Sequence, residues 1–129
     1  MNRSASARRW EVLIVDPSDE SREVFRTVLA RRGLSTIETS CMDDGLQLAR
    51  THRPRVIVVD LDDNHDADEI ATCARYEQEC RRQQSALLVL GIARSAASGL
   101  EDEQVVAKPY HYGPLIRKIE QLCGRTADD

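Results

Sequence analysis

The sequence predicts an α/β fold, a doubly wound, five-stranded parallel sheet with helices on both faces. Short apolar, β-branched runs alternate with helical patterns along the chain. Two of the runs, Val12–Val15 and Val56–Val59, are continuously apolar, which is typical of strands buried on both faces of a parallel sheet. The 129 residues are enough for one compact domain and too few for two ordinary ones.

The first strand, predicted over Trp10–Val15, leads through Asp16-Pro17-Ser18 into a helix. Ser18 is a good N-cap, and Gly33 suits the left-handed residue that ends many helices. The predicted inward stripe of this helix is apolar and consists of Val24, Phe25, Val28 and Leu29.

The middle of the chain continues the alternation. Leu34–Thr39 mixes polar and apolar residues, as an edge strand does. A helix over Asp43–His52 stops before Pro54, and a third strand follows at Arg55–Asp60. The next helix, from about Asp66 to Arg82, is predicted to turn four small or apolar residues inward, namely Ile70, Cys73, Ala74 and Cys80.

The last part of the chain supplies two more strands, Ala86–Leu90 and Gln104–Ala107. Between them, Ala93–Leu100 can form at most a short helix, which Gly99 weakens. Pro114 is predicted to open a final helix, which Gly124 ends. Its apolar face consists of Leu115, Ile116, Ile119, Leu122 and Cys123.

Charge and hydropathy exclude several classes of protein. The 18 basic and 22 acidic residues give a net charge of -4, which argues against nucleic acid as a partner. The apolar runs are far shorter than the roughly 20 residues of a membrane span, and residues 1–9 lack the apolar core of a secretory signal. We therefore expect a cytoplasmic protein with a flexible arm at 1–9, one domain at 10–124 and a tail at 125–129. Cys41, Cys73, Cys80 and Cys123 match no zinc or redox spacing, and core filling is the expected role of Cys73 and Cys80.

Polar residues at the carboxyl ends of the predicted strands mark the candidate site. In an open parallel sheet, ligands bind outside these ends. Asp16, Asp60 and Lys108 follow the first, third and fifth strands, while Gly91 follows the fourth. Each is also an ordinary turn residue when taken singly. Together they predict a carboxylate pair beside an ammonium group, and the repulsion between the two acids favours binding of a cation or ligand.

These segments resemble the receiver domains of bacterial two-component response regulators. The matching stretches are 12–16, with Arg22 in the helix that follows, then 54–61 and 105–110. The resemblance implies the flavodoxin-like strand order 2-1-3-4-5, for which a member of this family is the standard example. It also implies that Asp60 accepts a phosphoryl group from a histidine kinase, a phosphotransfer protein or a small phosphodonor. Lys108 would pair with a phosphoryl oxygen, and Mg²⁺ would be held by the carboxylates of Asp16 and Asp60 and by the backbone carbonyl of Asp62.

The chain departs from the receiver pattern at several positions. Pro17 stands where receivers carry a second acid, Gly91 where they carry a Ser or Thr, and Val105 where they carry an aromatic residue. Only 108 - 91 = 17 positions separate Gly91 from Lys108, which implies a shortened fourth helix. Asp19 or Glu20 either replaces the missing metal ligand or only places negative charge at a helix N-terminus.

Two other functions remain open from sequence. A degenerate pseudo-receiver would act as a docking module without phosphorylation. An unrelated flavodoxin-like binding protein or enzyme has less support, because neither a G-x-G-x-x-G nor a P-loop motif is present. We expect output through a downstream protein or a homodimer, or from a region outside this sequence. Tyr110, His111 and Tyr112 form a candidate contact patch.

Overall fold

A computed structural model describes residues 10–61, 67–91 and 100–124 of the chain. The predicted arm at 1–9, the tail at 125–129 and nearly all of the predicted short helix at 93–100 lie outside the described residues, as does Asp62. The described elements are β1 (Val12–Val15), α1 (Asp19–Arg31), β2 (Thr36–Thr39), α2 (Met42–His52), β3 (Val56–Asp60), α3 (Ala67–Gln83), β4 (Ala86–Leu90), β5 (Val105–Val106) and α4 (Tyr112–Leu122).

The five strands form one parallel sheet in the order β2-β1-β3-β4-β5. The α/β fold class and the flavodoxin-like order are therefore confirmed. β2 is an edge strand whose residues are only partly buried, whereas every residue of β1 and β3 is buried. Neighbouring strands β1 and β3 pair Val15 with Val59, so their carboxyl ends emerge side by side.

Alternate residues of the central strands build two cores, one on each face of the sheet. On one face, Leu13 and Val15 of β1 pack with buried side chains of α2 and α3. On the other face, Val12 and Ile14 pack with buried side chains of α1 and α4. The period-two alternation of a strand thus divides one apolar run between two helical layers.

The helix ends largely follow the predicted signals. Ser18 caps α1, because its Oγ accepts the Ser21 N–H at 3.1 Å. Gly33 and Gly124 have φ angles of 78° and 83°, the left-handed conformation that follows many helices. The predicted start of the last helix was wrong by two residues. Helix α4 begins at Tyr112 and contains Pro114 within its first turn, where a missing N–H costs no intrahelical bond.

Several side chains predicted to point inward are exposed. Val24 and Leu122 are 38% and 40% exposed, and Ala74 also lies on the outer side of its helix. Tyr76, which the sequence reading passed over, is fully buried in α3, and its hydroxyl donates to the Met42 carbonyl at 2.6 Å. The predictions for Cys73 and Cys80 were right, since both are free thiols buried in the core.

A buried acid also lies near the amino ends of β3 and β4. Glu79 of α3 is 6% exposed and accepts hydrogen bonds from Arg50 at 3.3 Å, Arg82 at 3.2 Å and Gln83 at 2.7 Å. Burial opposes ionisation, but the hydrogen bonds from Gln83 and Arg50 and the charge of Arg82 outweigh it and lower the pKa of Glu79. Gln83 also donates to the Ala49 carbonyl at 2.9 Å, which ties the network to α2.

Candidate functional site

Two buried aspartates lie at the carboxyl edge of the sheet. Asp16 directly follows β1, and Asp60 is the last residue of β3. Because the two strands are adjacent and in register, both side chains emerge at one place. Asp16 is 1% exposed and Asp60 is 8% exposed, so neither carboxylate is freely hydrated.

The Asp16 carboxylate is only half satisfied. Its Oδ1 accepts the backbone N–H of Ser18 at 2.9 Å, and Arg22 Nη1 fixes the same turn by donating to the Asp16 carbonyl at 2.7 Å. Its Oδ2 is buried and has no hydrogen-bond partner among the residues that the structure describes. A buried acceptor without a donor is costly, and this is the kind of atom that a bound cation would satisfy.

Lys108 approaches the second aspartate from the loop after β5. Its Nζ lies 2.6 Å from Asp60 Oδ1 and donates to the Leu61 carbonyl at 3.0 Å. The peptide bond from Lys108 to Pro109 is cis. Burial raises the pKa of the Asp60 carboxyl above its ordinary value, and the charge of Asp16 acts in the same direction. The Lys108 ammonium and a hydrogen bond from Tyr110 oppose this rise and favour the carboxylate.

An open cleft of about 830 Å³ lies over the pair of aspartates. The residues around it come from the carboxyl ends of β1, β3 and β5 and from the first turns of α1 and α4, and they are Asp16, Pro17, Ser18, Ser21, Asp60, Lys108, Pro109, Tyr110 and Tyr112. The structure thus brings together three of the predicted site residues, Asp16, Asp60 and Lys108. Tyr110 was not predicted to be a site residue, although its position two residues after Lys108 was a signal.

The acids of the first turn of α1 do not line this cleft. The side chain of Asp19 is 92% exposed and pairs with Arg22, and Glu20 is also exposed. Both acids lie in the first turn of α1, where negative charge is favourable. The predicted contribution of Asp62 falls outside the described residues.

The site fits a magnesium ion with a reduced set of protein ligands. Within the described ranges, no group of three or more His, Cys, Asp or Glu side chains is arranged to hold a metal. Asp16 and Asp60 supply two carboxylates, and Pro17 supplies no side-chain ligand. Mg²⁺ binds through one or two carboxylates and several waters, and the unpaired Oδ2 of Asp16 is a suitable oxygen.

Comparison with known proteins places this geometry in context. No protein-family model matches the chain. A curated relative, the polar-differentiation response regulator DivK of Brucella anthropi, is 26% identical over 121 residues, which cover 88% of this chain and 95% of the relative.

Solved structures with the same fold include a receiver domain. The receiver domain of Francisella response regulator 1452 superposes with a TM-score of 0.72 at 19% identity, over 89% of this chain and 97% of that one. A structure described as a transiently phosphorylated switch in bacterial signal transduction gives a TM-score of 0.69 at 20% identity, over 90% and 95% of the two chains. The resemblance to response regulator receiver domains is thus confirmed. None of the described helices is long and apolar enough to span a bilayer.

Proposed function

We propose that this chain is the phosphoacceptor module of a two-component pathway and that Asp60 accepts the phosphoryl group. The observation that carries the proposal is the contact between Asp60 and Lys108 at 2.6 Å, at the floor of an open cleft. An ammonium group held against a buried carboxylate neutralises charge at the point where a phosphoryl group would be attached. The donor would be the phosphohistidine of a kinase or phosphotransfer protein, or a small acyl phosphate.

The proposed reaction needs little from the protein beyond position and charge. An Asp60 carboxylate oxygen attacks phosphorus, and the bond from phosphorus to the donor's imidazole nitrogen or carboxylate oxygen breaks. The departing group keeps the electron pair, and an acyl phosphate forms on Asp60. A carboxylate carries no proton that must be removed, so no general base is required. Lys108 holds Asp60 ionised and then neutralises a phosphoryl oxygen.

Magnesium, when bound, would neutralise the acids and the phosphoryl oxygens. The carboxylates of Asp16 and Asp60 would hold it. Pro17 removes one expected ligand, and Asp19 and Glu20 do not line the cleft, so we expect weaker binding than at a site with three acids. The ion's remaining ligands would be waters and, as the resemblance implies, the carbonyl of Asp62.

The experiment that tests this function is intact-protein mass spectrometry with acetyl phosphate and MgCl₂. The parent protein is expected to gain one phosphoryl group. Asp60→Asn, which keeps the size of the side chain, is expected to gain none. Thr39→Val is the matched control, since it changes a partly buried polar residue at the same end of the sheet outside the cleft. A folded parent that gains no phosphoryl group from acetyl phosphate or from a panel of histidine kinases would contradict the proposal.

A second function, phosphorylation-independent docking, is favoured by two positions. Pro17 lacks a metal-binding side chain, and Gly91 lacks the hydroxyl that receivers place near the phosphoryl group. If the chain is a pseudo-receiver, the parent and Asp60→Asn would bind its partner equally well. A phosphoacceptor would bind a kinase or downstream protein differently before and after treatment with the phosphodonor. We further propose that these partners meet the chain in the cytoplasm, where histidine kinases present their phosphohistidine.

A further inference from the structure

At the position where receivers carry a hydroxyl, any side chain would be strained in this protein. Gly91 follows β4 with a φ of +92°, a conformation that L side chains rarely adopt. A Cβ at this position would lie 3.0 Å from Lys108 Cε and 3.1 Å from the Leu61 carbonyl oxygen. The aliphatic part of Lys108 therefore occupies the space that a Ser or Thr side chain would need.

A tyrosine hydroxyl lies in the same cleft as the Asp60 carboxylate. Tyr110, in the loop after β5, lines the cleft together with Asp16, Asp60 and Lys108. The phenol is close enough to Asp60 for each group to act on the ionisation of the other. The Lys108 ammonium therefore contacts the Asp60 carboxylate directly, and the Tyr110 hydroxyl is a second, neutral donor in the same cleft.

Packing holds the Tyr110 ring in this orientation. The ring lies edge-on to Tyr112, with centroids 5.5 Å apart and an interplanar angle of 81°. Tyr112 lies in turn against Phe25, with centroids 5.4 Å apart, and Phe25 is fully buried in the core beneath α1. Edge-to-face pairs of this kind have preferred geometries, so the chain of rings anchors the Tyr110 hydroxyl to the core.

We propose that the Tyr110 hydroxyl is a ligand of the phosphoryl group on Asp60, in place of the Ser or Thr hydroxyl that is absent at Gly91. The inference rests on the proposed function and names a further residue of that site. The Tyr110 O–H would donate to a phosphoryl oxygen while Lys108 neutralises another. Tyr110 forms and breaks no covalent bond. When water later attacks phosphorus, the bond to Asp60 breaks, and inorganic phosphate and the Asp60 carboxylate are released.

The chemistry of the phenol supports a role as a donor. Burial, followed by the charge of Asp60, raises the pKa of Tyr110 above its ordinary value. The hydroxyl therefore keeps its proton at neutral pH beside the anionic group. A preorganised donor aimed at charge that is spread over phosphoryl oxygens accelerates transfer, since it needs no rearrangement during the reaction.

The test compares rates of phosphorylation by acetyl phosphate with MgCl₂, followed by intact-protein mass. Tyr110→Phe removes one oxygen and keeps the ring, so its rate constant is expected to fall about tenfold, the size of effect expected for a hydrogen bond to a charged group. Tyr76→Phe is the control. It also deletes a buried tyrosine hydroxyl, bonded to the Met42 carbonyl on the far side of the sheet, and is expected to lower stability while leaving the rate within twofold.

The outcomes separate this inference from the function on which it rests. Equal rates for the parent and Tyr110→Phe would overturn the role of Tyr110 and leave Asp60 as the acceptor. A parent that gains no phosphoryl group would overturn both. A second measurement needs no variant. The parent protein is labelled with ¹³Cζ-tyrosine, and the NMR signals of its three tyrosines are compared before and after phosphorylation. At least one signal is expected to shift on phosphorylation, and three unchanged signals would overturn the inference.

Discussion

The two ends of the parallel sheet differ in how fully a buried carboxylate is hydrogen-bonded. At the amino end, Glu79 has donors from Arg50, Arg82 and Gln83, and they lower its pKa. At the carboxyl end, Asp16 Oδ2 has no donor among the described residues, and burial raises the pKa of Asp60. Both arrangements bury negative charge, but only the second leaves a buried carboxylate oxygen without a donor from the described part of the chain.

This difference indicates that the carboxylate at the amino end contributes to stability and that the pair at the carboxyl end serves function. A carboxylate whose hydrogen bonds are complete has no capacity left for a ligand, and its contribution is to fix α3 against α2. A pair of buried carboxylates with one ammonium, held by Asp60, retains negative charge, which a cation or a phosphoryl group with its metal would balance. The carboxyl end therefore carries an electrostatic cost in the free protein, and binding of a cation would relieve it. Each variant described below changes one end of the sheet and tests whether this difference between the two ends holds.

The largest loss of stability is expected from Gly91→Ala at the carboxyl end. The new Cβ would be strained at φ +92° and would press on Lys108 and the Leu61 carbonyl. We expect the free energy of unfolding in urea to fall by about 2–3 kcal/mol. The displaced ammonium should also slow phosphorylation of Asp60. Gly113→Ala is the matched control, since its nearest neighbour would be Arg117 at 3.7 Å and the substitution, within helix α4, should be neutral or slightly stabilising. Equal stabilities for the two variants would show that the carboxyl end is not closely packed at Gly91.

Removal of the satisfied carboxylate is expected to cost slightly less. Glu79→Ala deletes three hydrogen bonds and leaves the Gln83 amide with one partner fewer. Arg50 and Arg82 are 47% and 68% exposed and can return to water, so we expect a loss of about 2 kcal/mol rather than the larger cost of a fully buried pair. Glu23→Ala, at an exposed position of α1, should change the free energy of unfolding by less than about 0.5 kcal/mol. A loss no larger than that of Glu23→Ala would remove the contrast between the two ends.

Asp16→Asn is expected to change stability in the opposite direction. It neutralises a buried acid beside Asp60, so the free energy of unfolding measured with EDTA should rise by about 1 kcal/mol. In the parent, MgCl₂ should raise the melting temperature by binding only the folded state, and in Asp16→Asn this rise should disappear. A variant that is less stable than the parent in EDTA, or that keeps the full effect of MgCl₂, would mean that Asp16 is not the unsatisfied group.

The difference between the two ends also explains which features of the molecule could be predicted from the sequence. Continuous apolar runs that stop at Asp16 and Asp60 predicted both the strands and the convergence of their ends, because parallel strands in register must emerge together. The network of Glu79 was not predicted, since an acid among charged residues of a helix has the local pattern of an exposed residue. Its burial depends on how α3 packs against α2. For the same reason, helical periodicity alone wrongly predicted that Ala74 faces the core and did not predict the burial of Tyr76.

Tyr110 and Gly91 show a different limit. Gly91 was recognised as the loss of a hydroxyl, but the path of the Lys108 side chain, which would crowd a Cβ at this position, is contained in no local pattern. The orientation of Tyr110 depends on Tyr112 and Phe25, which come from two different helices. A substitution at a motif position, such as Gly91, therefore shows that the family's pattern is broken there. Only tertiary packing shows that another residue, here Tyr110, lies near the same site.

The smallest expected effect, and the most direct comparison of the two ends, is in pH dependence. The raised pKa of Asp60 means that its ionisation disfavours folding, so Asp60→Asn should gain stability over the parent as pH rises above about 4, through the folded pKa. The lowered pKa of Glu79 means that its ionisation favours folding. The loss in Glu79→Gln should therefore be complete above about pH 5 and should fade as acid protonates Glu79 in the parent. Urea unfolding from pH 3 to 8 with EDTA measures both, and we expect the two differences to grow with pH in opposite directions. Differences of the same sign would mean that the two ends bury their carboxylates in the same way, and the carboxyl end would then have no excess charge for a ligand to relieve.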